Sequence, residues 1–222
     1  MNKGERVNLP KDFKVYEYSL PFDLPLSRTI LAVVDMQNDF IHPQGILGKE
    51  GVFVDGFEDL VSKVGTLMGA CRMKGLPVIA TRHIIHQDSE GLAVGGGLWV
   101  ELRPFLKTGG FRRGSWGADL VDGLPKPDYV IEKTRFSAFF ETNMECLLRG
   151  LKTEVIIFSG VATNVCVEST IRDAFFRDFK PIIIEDCVAA YTQQAHEASL
   201  RNLRFFGSVI SLSELMKAFK NS

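Results

Sequence analysis

The sequence predicts an α/β domain: a three-layer α/β/α sandwich on a mostly parallel sheet of about six strands. Three features predict it. Short, apolar, β-branched runs recur along the chain without the polar alternation of half-exposed strands, which marks strands buried on both faces. Amphipathic segments of helical length separate these runs, giving repeated strand–helix–strand units with right-handed crossovers. The 222 residues suffice for one sizeable core and are short for two.

Taken in order, "TILAVVD" at 29–35 reads as the first buried strand. "FEDLVSKVGTLMGACRMKG" at 57–75 is a helix that stops at Gly75, a residue suited to a helix end. "PVIATR" at 77–82 is the second strand. Residues 83–125, rich in Gly and aromatics, are too long for a plain connection and read as a functional segment, a lid or an interface. "DYVIEK" at 128–133, a helix over 141–150, and "EVIIFSG" at 154–160 follow. A helix from about Asn164 to Asp178, "PIIIED" at 181–186, a helix around 193–206, "SVISL" at 208–212 and a last helix through "SELMKAF" complete the set. Residues 1–28 read as an extension packed on the domain or on a partner, and 29–222 as a single domain.

The charge balance excludes several classes. A net charge of -1 gives no basic footprint for nucleic acid or a membrane surface. No apolar run reaches the roughly 18 residues of a membrane span. The polar, Pro-punctuated start lacks the apolar stretch of a signal peptide, so a cytoplasmic protein is expected. The four cysteines make no C-x-x-C pair, which argues against a zinc knuckle, and in a cytoplasmic chain of this size they are expected to be reduced. Cys71, Cys146 and Cys187 read as packing residues. Cys166 stands apart, near the start of a helix after the tight turn at Gly160.

In a sheet of this kind ligands bind beyond the carboxyl ends of the strands. The first strand ends at Asp35, the third at Lys133, and the fourth runs into Cys166. Singly, each has a plain reading: Asp35 as a turn former, Lys133 as a solvated charge, Cys166 as filler. Together on one rim they suit nucleophilic catalysis. A helix N-terminus, with Thr163 or Asn164 as cap, and a neighbouring ammonium favour a thiolate. A carboxylate within reach takes the thiol proton, and backbone N–H groups of the turn hold an oxyanion.

The stretches "AVVDMQNDF", "EKTRFSAFF" and "FSGVATNVCVESTIRDAFFRDF" resemble the three blocks of the isochorismatase-like cysteine hydrolase superfamily, in family order, over roughly residues 30 to 210. The resemblance implies a catalytic triad of Asp35, Lys133 and Cys166. It implies a cis peptide between Val161 and Ala162, and an oxyanion hole from the N–H groups of Ala162 and Cys166. Within the superfamily the chain looks most like the ureidoacrylate amidohydrolase branch, through "RRGSWGADLVDGL" and "KTRFSAFF", and departs from it around "ATRHIIH".

The expected activity is that of a cysteine hydrolase cleaving a C–N bond of a small amide, ureido or carbamoyl compound through an acyl-enzyme. The alternatives are an isochorismatase-type vinyl-ether hydrolase, a nicotinamidase, and a thiol redox-sensing scaffold. Phe40 is a candidate pocket wall or plain core, and Trp116 a candidate lid or wall. Arg135 suits a carboxylate clamp or an ion pair with Glu141 or Glu168, and Phe136 lies beside it. Glu168 and Arg172, four apart, suit a helical ion pair. His83 and His86 read as an exposed or hydrogen-bonded loop pair. With no D-x-H before them and no third ligand, no metal and no cofactor are expected. The expected partners are a small-molecule substrate and a second or further copy of the chain, as a homodimer or homotetramer; no nucleic acid and no membrane are expected.

Overall fold

The apolar runs become strands where the sequence puts them. The computed structural model describes residues 24–220. In it β1 (Thr29–Val34) leads through two single-turn helices, α1 (Asn38–Ile41) and α2 (Ile46–Lys49), to the long helix α3 (Phe57–Met73), which returns to β2 (Val78–His83). A two-stranded ribbon, β3 (His86–Gln87) with β4 (Ala93–Val94), precedes α4 (Gly97–Glu101). Strands and helices then alternate: β5 (Tyr129–Lys133), α5 (Met144–Gly150), β6 (Val155–Val161), α6 (Glu168–Phe175), β7 (Lys180–Ala189), α7 (Gln193–Leu203), β8 (Ser208–Ile210) and α8 (Leu212–Lys220).

Six strands form one sheet in the order β5-β2-β1-β6-β7-β8, with every neighbouring pair parallel. Every residue of β1 and β6 is buried, as their unbroken apolar runs require. The edge strand β5 exposes Tyr129 and Val130. Helices α3 and α8 pack against β7 and each other, and α6 and α7 do the same as a second pair. The strand order reverses between β1 and β6, so the crevice beyond their carboxyl ends is the switch point where this architecture places ligands.

Register brings the rim residues level. Val34 pairs with Gly160, and His83 with Lys133. Gly160 takes φ of 110°, and a Cβ there would lie 2.0 Å from the Val34 carbonyl oxygen. Only glycine lets β6 turn against β1 so closely.

Residues 83–125 are more ordered than a connection. They contain the ribbon, α4 and short 3-10 turns at Pro104–Lys107 and Trp116–Ala118. Leu24 and Leu26, ahead of β1, pack on the core, so the described end of the N-terminal extension lies on the domain. The rest of that extension, residues 1–23, falls outside the described residues. Among the described residues no helix is long and apolar enough to cross a membrane.

Candidate active site

The first side chain of the site is set by the end of β1. Asp35 follows the last strand residue with φ of 50°, a left-handed conformation that turns its fully buried carboxylate back over the sheet. Thr81 on β2 holds it: the Thr81 hydroxyl donates to Asp35 Oδ1 at 2.6 Å and accepts from the Asp35 N–H at 3.1 Å. Lys133, at the end of β5, reaches in with its Nζ 2.6 Å from Asp35 Oδ2, and both side chains are wholly buried. Lys133 also donates to the Arg135 carbonyl at 3.0 Å.

Cys166 completes the cluster, 1% exposed, with its thiol close enough to Asp35 and Lys133 for both charges to act on it. The peptide bond between Val161 and Ala162 is cis. The chain then makes one wide turn over Thr163–Val167, in which the Val167 N–H donates to the Ala162 carbonyl five residues back. This differs from the expected helix start. Neither Thr163 nor Asn164 caps it: Ala162 is the cap residue, and the Thr163 hydroxyl pairs with His196 Nδ1 at 3.0 Å. Ser199 on α7 donates to the Thr163 carbonyl, and the Thr170 hydroxyl donates to the Cys166 carbonyl at 2.6 Å. Thr170 in turn accepts from the Ala138 N–H, fastening the cysteine turn to the segment after Lys133. The Glu168–Arg172 ion pair forms as expected, at 2.6 Å.

The electrostatics correct one expectation. Burial pushes the Cys166 thiol up; Lys133 pulls it down, but Asp35 pushes it up again, so it titrates well above its ordinary value. Burial alone would lower Lys133, yet the charges of Asp35 and Cys166 hold it above its ordinary value. The buried thiol therefore favours its neutral form beside the Asp35–Lys133 pair. Apart from the ion pair with Lys133, Asp35 Oδ2 has no hydrogen-bond partner. That leaves it free to accept a proton.

The rest of "DMQNDF" is scaffolding that sequence reading missed. Gln37 bridges β2 to the following segment, accepting from the His83 N–H and donating to the His83 and Ala118 carbonyls. Asn38 donates to the Trp116 carbonyl. Asp39 accepts from the N–H groups of Ile46 and Phe111 at 2.8 and 2.6 Å. Gly117 lies so near that a Cβ would sit 2.2 Å from the Asp39 carboxylate. These bonds drape residues 105–118 over the rim.

The drape and the turn enclose an open cleft of about 720 Å³, a size that suits a small molecule. Cys166, Ala162, Asn164 and Val165 form its floor; Phe40, Trp99, Phe105 and Phe136 are its aromatic walls. Leu47, Val52, Leu98 and Leu102 add apolar surface, and Arg103, Glu50 and Tyr191 supply the polar groups. Phe40 and Phe136 line the cleft. Trp116 does not: it is half exposed, packs edge-on against His42, and is outside the cleft lining. Trp99 takes that place, with its ring 4.6 Å from His83. Arg135 is also displaced: it donates to the Gly95 and Thr134 carbonyls, neither clamping the cleft nor pairing with Glu141 or Glu168. Arg103 is the guanidinium that lines the cleft. Cys146 is exposed rather than packed, whereas Cys71 and Cys187 are buried.

His83 is the last residue of β2 and is 1% exposed, not a loop residue. Its ring lies among Phe40, Trp99 and Phe111, with Nδ1 unpartnered, while His86 is exposed. Among the described residues no cluster of three or more His, Cys, Asp or Glu could hold a metal ion. Burial, then the Lys133 charge, drives His83 well below its ordinary 6.5. A neutral buried histidine that must charge on unfolding destabilises the fold at low pH: the unfolded chain binds the extra proton. Stability measured by denaturant titration should therefore fall as pH drops below about 6.5. His83→Gln should flatten that fall; an unchanged pH profile in the variant would refute it.

The chain matches the isochorismatase domain model over residues 29–214. The ureidoacrylate amidohydrolase RutB of Methylobacterium radiotolerans is 33% identical, with 89% of this chain and 82% of the relative aligned. That of Pantoea ananatis is 34% identical over 86% and 82%. Among solved structures, a cysteine hydrolase from Pseudomonas syringae superposes with a TM-score of 0.79 at 27% identity, covering 90% of this chain and 96% of the other. N-carbamoylsarcosine amidase from Thermoplasma acidophilum gives a TM-score of 0.65 at 25% identity, covering 83% and 96%.

Proposed function

The chain belongs to the isochorismatase domain family and is a hydrolase acting on non-peptide C–N bonds; from that premise we propose that it opens small ureido or carbamoyl compounds through a covalent intermediate on Cys166. The observation that carries the reading is the buried contact of the Cys166 thiol with the Asp35–Lys133 pair at the floor of an open cleft.

In this reading the thiol hands its proton to Asp35 as sulfur bonds to the carbonyl carbon. The substrate oxygen becomes an oxyanion, held by the N–H groups of Ala162 and Cys166. The C–N bond then breaks, and the departing nitrogen takes the proton from Asp35. A water molecule gives its proton to the same carboxylate and attacks the acyl carbon. The S–C bond breaks and the proton returns to sulfur. Lys133 stays paired with Asp35 between the proton transfers and offsets the negative charge that develops at each attack. A neutral resting thiol suits this order, since the proton needed by the leaving nitrogen is then already in the site.

Ureido compounds are favoured over simple carboxamides because both RutB relatives are named for a ureido substrate. The test is a screen of ureido, carbamoyl and carboxamide compounds for ammonia release. Turnover of ureido compounds at least about tenfold above nicotinamide in kcat/KM is expected, a difference of about 1.4 kcal/mol at the transition state. Turnover confined to nicotinamide, or to a vinyl ether, would refute the reading.

A further inference from the structure

Four large apolar side chains stand exposed among the residues that line the cleft. Leu98 on α4 is 71% exposed, and Leu102, four residues on at the end of the same helix, is 74% exposed. Val52, beyond α2, and Phe136, beyond β5, line it as well, at 38% and 37%. Singly exposed apolar side chains are ordinary. Four in the lining of one cleft, above a buried thiol, make a surface suited to a ligand.

The aromatic walls join this surface to the floor. Trp99 on α4 lies 6.2 Å from Phe40 with the rings 23° from parallel, and 6.0 Å from Phe136 edge-on. The helix that carries Leu98 and Trp99 is held in place: Arg135 donates to the Gly95 carbonyl ahead of it at 2.9 Å, and Val100 within it is buried in the core. The charged members of the lining are Glu50 and Arg103, both exposed and of opposite sign, so together they carry no net charge to select an ion. The volume of about 720 Å³ lies inside the roughly 300–1,000 Å³ of pockets that bury mid-sized organic ligands, more than a bare ureido group fills.

We propose that these walls form an apolar subsite, and that the compound cleaved carries a bulky hydrocarbon or aromatic group on its ureido or carbamoyl nitrogen. The proposal rests on C–N hydrolysis at Cys166 and adds what the rest of the cleft recognises. With the carbamoyl carbon at Cys166 on the floor, a long substituent extends along walls that are aromatic and aliphatic. Its burial takes both its own surface and that of the exposed side chains out of water, and the affinity follows from that area. A short polar substrate leaves those side chains wet.

The test follows ammonia release from methylurea, butylurea, hexylurea and 2-phenylethylurea by the full chain. Along the alkyl series kcat/KM should rise about two- to fourfold per added methylene, mainly through KM. The phenylethyl compound should exceed methylurea by at least about 30-fold. The double variant Leu98→Gln with Leu102→Gln should cut the hexylurea-to-methylurea ratio of kcat/KM about tenfold. Both positions are largely exposed, so its Tm should stay near that of wild type. Independently of turnover, hexylurea should bind the Cys166→Ala protein at least about tenfold tighter than methylurea, with a negative heat-capacity change in calorimetry. A flat or falling length profile in wild type, or an unchanged ratio in the double variant, would overturn the subsite while leaving C–N hydrolysis intact. Length-dependent binding with no ammonia from any of the four ureas would instead fail the C–N reading and keep the apolar subsite.

Discussion

Replacing Lys133 by methionine should cost both fold and function. Lys133 and Asp35 are fully buried and 2.6 Å apart, so the variant strands a carboxylate in the core. Removing one member of a buried pair costs about 3–5 kcal/mol, because the remaining charge has neither water nor counter-ion. For a domain of this size that is a Tm drop of roughly 6–20 °C. The double variant Asp35→Asn with Lys133→Met should regain most of that stability, since an uncharged pair avoids the penalty. It should not regain turnover, because the proton acceptor for the thiol is gone. Thermal melts with ammonia-release assays on the three proteins separate the two effects. A double variant as active as wild type would show that the pair is only structural.

Cys166→Ala should leave the fold standing and abolish turnover. The side chain is buried but small, and the turn around it is held by Thr163, Thr170 and Ser199 rather than by the thiol. Circular dichroism and Tm should therefore stay near those of wild type. Loss of a nucleophile that works as a unit with its base reduces kcat by roughly 10⁴–10⁶-fold. Cys146, exposed and outside the cleft lining, is the control: Cys146→Ala should keep full activity. A thiol-sensing scaffold predicts the reverse emphasis, with oxidation of Cys166 altering behaviour and no hydrolysis to lose.

Sequence reading recovered what strand ends dictate. β1, β5 and β6 were legible as apolar runs, so the residues that follow or close them, Asp35, Lys133 and the turn to Cys166, fell on one rim by topology alone. The cleft walls were not legible, because contacts between distant segments leave no periodic trace. Trp99 and Trp116 both lie among glycines, and nothing local says that Trp99 packs on His83 while Trp116 turns out toward His42. Arg135 suited a clamp by sequence, but it spends its donors on the Gly95 and Thr134 carbonyls, and Arg103, which no local pattern singles out, lines the cleft. Thr81 holds the catalytic candidate Asp35 from inside a strand that reads as plain core. Cys146 misled through its apolar neighbours, since the buried stripe of α5 runs through Met144 and Leu148 and passes it by. The helix-cap reading at Thr163 or Asn164 failed because the chain makes a wide turn over Thr163–Val167 with Ala162 at the cap position.

The central claim is that Cys166 forms a covalent bond with the substrate. Wild-type protein mixed with a ureido compound, quenched in acid during turnover and weighed intact, should carry one added acyl group. Peptide mapping should place that group on Cys166, and the Cys166→Ala protein should carry none. Continued hydrolysis by Cys166→Ala, with no adduct on wild type, would contradict the account.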